Sequence, residues 1–196
     1  MAGASVRKGK NFERVVANTL GAIYAVHESL AGRTLAPGDR PVRRGLAQSR
    51  GGGAEEPDVV VGDLDLHVEV KHHNTIAPSA LMRQALADVR RSGTADTLTL
   101  GVLKRDRQEP TAYLFAWDAQ RLLGWWHGYP VPRVDPVGRG ETRRGPLVRP
   151  YGGSTPLGLG TVPPDIGPVV EFTWRELVAI LDGVWEHLPR KRNAAP

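Results

Sequence analysis

Three residues in the first half of the chain, Asp58, Glu69 and Lys71, have the types and spacing for phosphodiester chemistry. Cutting a phosphodiester calls for carboxylate oxygens that can hold Mg²⁺, a hard cation. The ion activates water and neutralises charge on the phosphate. A nearby lysine orients the nucleophile or stabilises the developing negative charge. Asp58 follows Pro57 and opens the apolar stretch Val59-Val60-Val61; Glu69-Val70-Lys71 closes the next one. Two residues apart on a strand, Glu69 and Lys71 share a face, and Val70 between them points into the core. An isolated Glu-x-Lys is usually only a solvated strand face with an ion pair. Here the Pro-Asp opening, the apolar strand that Glu-Val-Lys closes, and Glu13 upstream on a helix with basic neighbours all favour chemistry.

The spacing of apolar residues predicts the elements that must position this trio. Phe12, Val15, Val16, Leu20, Ile23 and Tyr24 recur at helical spacing, which predicts a first helix over residues 8–28 with Ser5 as a candidate N-cap. Residues 41–44 read as a short strand, and a glycine-rich loop runs through residues 48–53. Residues 57–61 and 64–71 read as a hairpin turning at Gly62-Asp63. In its second strand Leu66, Val68 and Val70 share one face, and Asp65, His67, Glu69 and Lys71 the other. A helix is predicted over 78–92, with Pro78 in its first turn. Its apolar stripe is Leu81, Ala85, Leu86 and Val89, with Arg83, Arg90 and Arg91 off it. Strands over 96–103 and 111–116 and a short helix over 118–123 follow. Residues 124–168 are rich in Gly, Pro and Arg and lack periodicity, which is long for a loop inside a compact domain. Residues 169–172 read as a strand. Residues 173–187 read as a terminal helix, with Thr173 as N-cap and Glu176 at the capping-box position.

Pro57-Asp58, ten intervening residues and then Glu69-Val70-Lys71 resemble the signature of the PD-(D/E)xK nucleases. Lys8-Gly9-Lys10-Asn11-Phe12-Glu13-Arg14 is similar to the Lys-Gly-x-x-x-Glu-Arg opening of archaeal and phage-type Holliday junction resolvases within that superfamily. The likeness covers residues 6–104. It implies an α/β, restriction-endonuclease-like core, a central mixed β-sheet flanked by helices. It implies Mg²⁺ dependence with Mn²⁺ as substitute, and a homodimer that cuts two strands symmetrically to leave a 5′-phosphate and a 3′-hydroxyl. By the same resemblance Glu13 completes a metal site with Asp58 and Glu69, and Lys71 is the fourth catalytic residue. Ser49 is the counterpart of a functional loop serine, although Arg50 separates it from the glycines. Related nucleases also place a glutamine on the helix after the Glu-x-Lys strand; Gln84 matches it, and a plain surface position is the alternative.

Arg7, Lys8, Lys10 and Arg14 surround Glu13 and are candidates for phosphate contact, which positions a duplex without reading it; a solvated basic helix face is the alternative. Arg43, Arg44 and Arg50 lie in or beside the glycine-rich loop, where a DNA backbone could approach closely. Arg143, Arg144 and Arg149 could make a second DNA contact or only solubilise the extension. His67 shares the face of Glu69 and could touch a phosphate or the metal shell; an exposed strand histidine is its plainer reading. His72 and His73 could line a cleft, but a zinc site needs more ligands. Trp125, Trp126 and Tyr129 could stack on unpaired bases; a core or dimer-interface role is the commoner use of such a cluster.

The composition agrees with a nucleic-acid partner without demanding one. Of 26 cations 21 are arginine, net charge is +5 and the pI is about 9.9; arginine suits bidentate phosphate contacts, but a GC-rich genome also supplies it. With 40% hydrophobic residues the chain can bury a core. The lack of cysteine excludes disulfides and cysteine zinc sites. No apolar run reaches the roughly 20 residues of a membrane helix, and the first residues lack the apolar region of a signal peptide, so a cytoplasmic protein is expected. The expected organisation is a nuclease core over 1–123, an extension or arm over 124–168, and a terminal strand and helix over 169–196 packing on the core. The expected function is a structure-selective endodeoxyribonuclease acting on four-way junctions. A restriction-type duplex endonuclease and a DNA-binding protein without catalysis stay open as alternatives.

Overall fold

The computed structural model describes residues 2–36, 39, 41–45, 56–92, 97–128 and 167–191. Ser49, Arg50, Tyr129, Arg143, Arg144, Arg149 and most of the 124–168 segment lie outside them. In chain order the elements are helix α1 (Ala2–Leu30), strands β1 (Val42–Arg44), β2 (Val59–Val61) and β3 (Leu66–His72), helix α2 (Pro78–Ser92), strands β4 (Leu98–Lys104) and β5 (Thr111–Phe115), helix α3 (Ala116–Trp126), strand β6 (Val169–Thr173) and helix α4 (Trp174–Gly183). A 3₁₀ turn, Trp185–His187, follows.

The strands form one six-stranded sheet whose spatial order is the chain order. Only β3 and β4 are parallel; every other pair is antiparallel. The fold is therefore α/β with a mixed sheet flanked by helices, as expected. A parallel pair cannot be joined by a tight turn, and α2 supplies the crossover.

Side-chain alternation divides the sheet into two buried faces. On one, Val68, Leu100 and Leu114 pack with Val16 and Leu20 of α1, Leu122 of α3 and Leu181 of α4. On the other, Leu103, Tyr113 and Phe115 pack with Leu81 and Met82 of α2. His67, Glu69 and Gly101 belong to this second face. Gly101 stands beside Glu69 in the β3–β4 register. A Cβ there would come within 2.7 Å of Met82 Sδ and 3.0 Å of Leu81 Cδ2, so the missing side chain lets α2 settle close to the sheet.

Several boundaries differ from expectation. α1 starts at Ala2, so Ser5 lies within the helix rather than capping it; nothing in Ala2 to Arg7 breaks a helix. α3 runs through Gly124 to Trp126, where a shorter helix was expected to end before Gly124. An internal glycine weakens a helix without stopping it, and the chain turns at Gly128, whose φ of 69° suits glycine. Residues 124–126 thus belong to α3 rather than to an extension. The terminal helix is interrupted at Val184 and continues as the 3₁₀ turn. Its capping box is formed: the Glu176 backbone N–H donates to Thr173 Oγ1 at 3.2 Å, and the Thr173 N–H donates to Glu176 Oε2 at 2.9 Å.

Beyond α4 the chain crosses back to the β2–β3 turn. The Asp65 N–H donates to the Pro189 carbonyl at 2.7 Å, and Arg190 Nη1 bridges both Asp63 oxygens at 2.8 and 2.9 Å. No described helix is long and apolar enough to cross a membrane.

The contact between α2 and β4 is tight enough to test. Gly101→Val should lower unfolding stability by about 1–3 kcal/mol through overpacking, measured by urea denaturation; an unchanged midpoint would show that α2 has room to give.

Candidate active site beneath the crossover helix

Asp58 immediately precedes β2, and its Oδ2 accepts the backbone N–H of Val70 at 2.9 Å. That bond pins the carboxylate across the hairpin beside the Glu69 and Lys71 face. Lys71 Nζ lies 2.5 Å from Glu69 Oε1 and 3.4 Å from Asp58 Oδ2, so one ammonium joins both acids. Gln84, in the second turn of α2, donates its Nε2–H to Glu69 Oε1 at 2.6 Å.

Burial grades along this strand. The Glu69 side chain is 4% exposed, while those of Asp58 and Lys71 are each 28% exposed. Burial pushes the Glu69 carboxyl up to about 7; the charge of Asp58 adds to this and Lys71 opposes it. For Lys71 burial works against the charged form, but Asp58 and Glu69 outweigh it and its pKa is raised. Lys71 is therefore a firm cation at neutral pH, held between Asp58 and a Glu69 that burial makes harder to ionise.

The other residues marked in the sequence are distributed around this centre. Glu13 reaches from α1 to β1, where Arg44 Nη2 and Nε lie 2.6 and 2.7 Å from its Oε2. Lys8 pairs with Asp106 at 3.1 Å. Asp106 also accepts from Asn74 and contacts His72 Nε2; with Lys8, these hydrogen bonds hold its carboxyl down near 2. Arg14 donates to Asn11 and Arg43 to Glu56, and Arg7 and Lys10 are exposed. Trp125 packs against the main core, with the Arg121 guanidinium over its ring and His187 stacked on it. Trp126 is 45% exposed.

Two further residues stand beside this centre: His67, for which a metal-shell role is the less plain reading of the sequence, and Asp88, which is not among the residues marked there. His67, read as an exposed strand histidine, is 4% exposed because α2 covers its face of β3. Its Nε2 has no hydrogen-bond partner. Asp88 is 5% exposed and pairs with Arg91. Its signal was available: it lies one turn beyond Gln84, so both face the same strand. Among the described residues, His67, Glu69 and Asp88 are the one group of three or more His, Asp or Glu whose candidate ligand atoms all lie within 4.8 Å of one another.

The pKa of Glu69 sets the sign of a pH dependence in chelator-treated protein. An unfolded glutamate titrates near 4.5 and the folded one near 7, so between these values the folded state holds more protons and wild type loses stability as pH rises. The stability of Glu69→Gln relative to wild type should therefore climb by up to a few kcal/mol from about pH 4.5 to 7 and level off above. Denaturation at a series of pH values measures it; a flat difference would mean that Glu69 is ionised throughout.

No family model, curated protein or solved structure matches this chain.

Proposed function

We propose that the protein is a metal-dependent endodeoxyribonuclease of the PD-(D/E)xK type, with a restriction-endonuclease-like core, and that its substrate is a four-way DNA junction. The observation that carries the catalytic part is the meeting of Asp58, Glu69 and Lys71 at the Lys71 ammonium. The junction rests on the Lys-Gly-x-x-x-Glu-Arg likeness around Glu13, together with the expected homodimer.

The donor set fits Mg²⁺ or Mn²⁺. Asp58 and Glu69 offer hard carboxylate oxygens close enough to share one cation, since they already share the Lys71 ammonium. When bound, such an ion supplies a polarised water and positive charge against the phosphate. Glu13, the third ligand by resemblance, is paired with Arg44 through its Oε2.

The chain's own groups have separable tasks. Gln84 holds Glu69 Oε1 in place, and the Val70 N–H holds Asp58 Oδ2. Lys71 orients the attacking water and stabilises charge building on the phosphoryl oxygens. The new P–O bond forms from water as the bond from phosphorus to the 3′ oxygen breaks, leaving a 5′-phosphate and a 3′-hydroxyl. Arg7 and Lys10, exposed on α1, would meet backbone phosphates on this reading. Ser49, Arg50 and the extension beyond α3 are further candidates for DNA contact.

Wild type should cut a labelled four-way junction in Mg²⁺ and stop in EDTA. Glu69→Gln and Lys71→Met should each cut at least about 100-fold more slowly, the scale of losing one group that stabilises transition-state charge. Cutting of a linear duplex at one sequence, without preference for junctions, would move the substrate to duplex DNA. Binding without cutting of any DNA form would remove the enzymatic reading.

A further inference from the structure

We propose that His67, Glu69 and Asp88 form a second, buried site for a divalent first-row transition-metal ion, joining α2 to β3 behind the Asp58–Glu69–Lys71 cluster. Four observations meet there. The three residues are 4%, 3% and 5% exposed. One ring nitrogen of His67 and one carboxylate oxygen from each acid all lie within 4.8 Å of one another. His67 Nε2 is buried with no hydrogen-bond partner, an arrangement that costs free energy unless something occupies it. Finally, two carboxylates are brought close together in a dry environment, which is unfavourable unless positive charge stands between them.

Each acid already has one cation beside it. Lys71 attends Glu69 from its Oε1 side, together with Gln84. Arg91 reaches Asp88 from the following turn of α2 and is itself half exposed. A divalent ion among the three residues would give His67 a partner and bring further positive charge between the two acids. Its donors would have to close from within 4.8 Å to roughly 3.3 Å, the separation expected around an ion with ligand bonds of about 2.0–2.1 Å. Side-chain rotation on a rigid strand and helix can supply that movement.

The donor chemistry selects the ion. Imidazole nitrogen with two carboxylates suits Mn²⁺, Zn²⁺ or Fe²⁺ better than Mg²⁺, which prefers oxygen and keeps its waters. The geometry also divides the labour on this strand. Asp58 and Lys71 stand at the partly exposed end of the cluster; His67 and Glu69 are buried with Asp88 of α2. Glu69 is common to both, so an ion in the inner site would fix the carboxylate that the outer chemistry uses. The inner site stands on burial and donor geometry and does not depend on the nuclease reading.

The test uses the full chain stripped with EDTA and loaded with Mn²⁺ alone, read by pulsed electron paramagnetic resonance. Wild type should show ¹⁴N coupling from a directly bound imidazole, whereas Asp58 and Glu69 alone offer only oxygen. Asp58→Asn should keep the coupling and His67→Gln should lose it. Asp88→Asn should weaken Mn²⁺ binding at the nitrogen-coupled site by about tenfold or more, and a large excess of Mg²⁺ should not displace the ion. Absence of ¹⁴N coupling in wild type, or its persistence in His67→Gln, would overturn the site. If His67→Gln does not fold, Asp88→Asn decides: unchanged Mn²⁺ affinity at the nitrogen-coupled site overturns the proposal. Because this signal needs no DNA cleavage, a protein that binds Mn²⁺ here and cuts nothing would refute the nuclease reading alone.

Discussion

A sheet covered on both faces offers no water to a charged side chain, and the region around residue 69 is organised by that constraint. Had β3 been an edge or one-sided strand, Glu69 and Lys71 would be an ordinary solvated pair. Under α2, Glu69 must find its partners within the protein. It finds Lys71 two residues along the strand and Gln84 on the helix above. Gly101 on the adjacent strand keeps the helix low enough for Gln84 to reach. Asp118 shows the same constraint elsewhere. It is 1% exposed, accepts the Thr99 N–H and pairs with Arg121, yet burial still drives its carboxyl up to about 7.

A pattern of paired charge extends through the candidate chemistry. Lys71 stands between Asp58 and Glu69, Arg44 holds Glu13, and Arg91 holds Asp88. Each acid that could serve as a ligand keeps a protein cation beside it. Such pairing fixes the directions of the carboxylates in the absence of any ligand. Exchange of one cation for another at these acids then costs less than creating a charge in a dry pocket. The partly exposed flank of the cluster, at Asp58 and Lys71, is where a phosphate can approach.

The elements were legible where local signals were unopposed. The bounds of α2, Pro78 to Ser92, follow from an amphipathic stripe with proline in its first turn, and the hairpin at Gly62-Asp63 follows from two apolar runs around a turn pair. The Thr173–Glu176 box marked the start of α4 for the same reason. What was not legible depends on tertiary placement. Alternation put His67 on the polar face of β3, but no local feature says that a helix will bury that face. Asp88 was not singled out; only its place one turn beyond Gln84 marks it as facing the same strand, and its importance comes from what lies on that strand. The Arg44–Glu13 pair joins residues 31 apart and leaves no mark at either position. In α3 a glycine was read as a stop where the surrounding helix, packed through Ala119 and Leu122, simply ran through it.

The return of the chain from α4 to the β2–β3 turn has a consequence for biosynthesis. Arg190 is tied to Asp63, 127 positions earlier, while Leu177, Leu181 and Trp185 sit in the same apolar layer as α1. Contacts of such long sequence separation must wait for loop closure and slow the search for the native state. On a ribosome, α1 and the first four strands emerge with their shared apolar face only partly covered. That face cannot close until residues 169–191 have been made, and until then the nascent chain carries an exposed apolar layer of the kind that attracts chaperones.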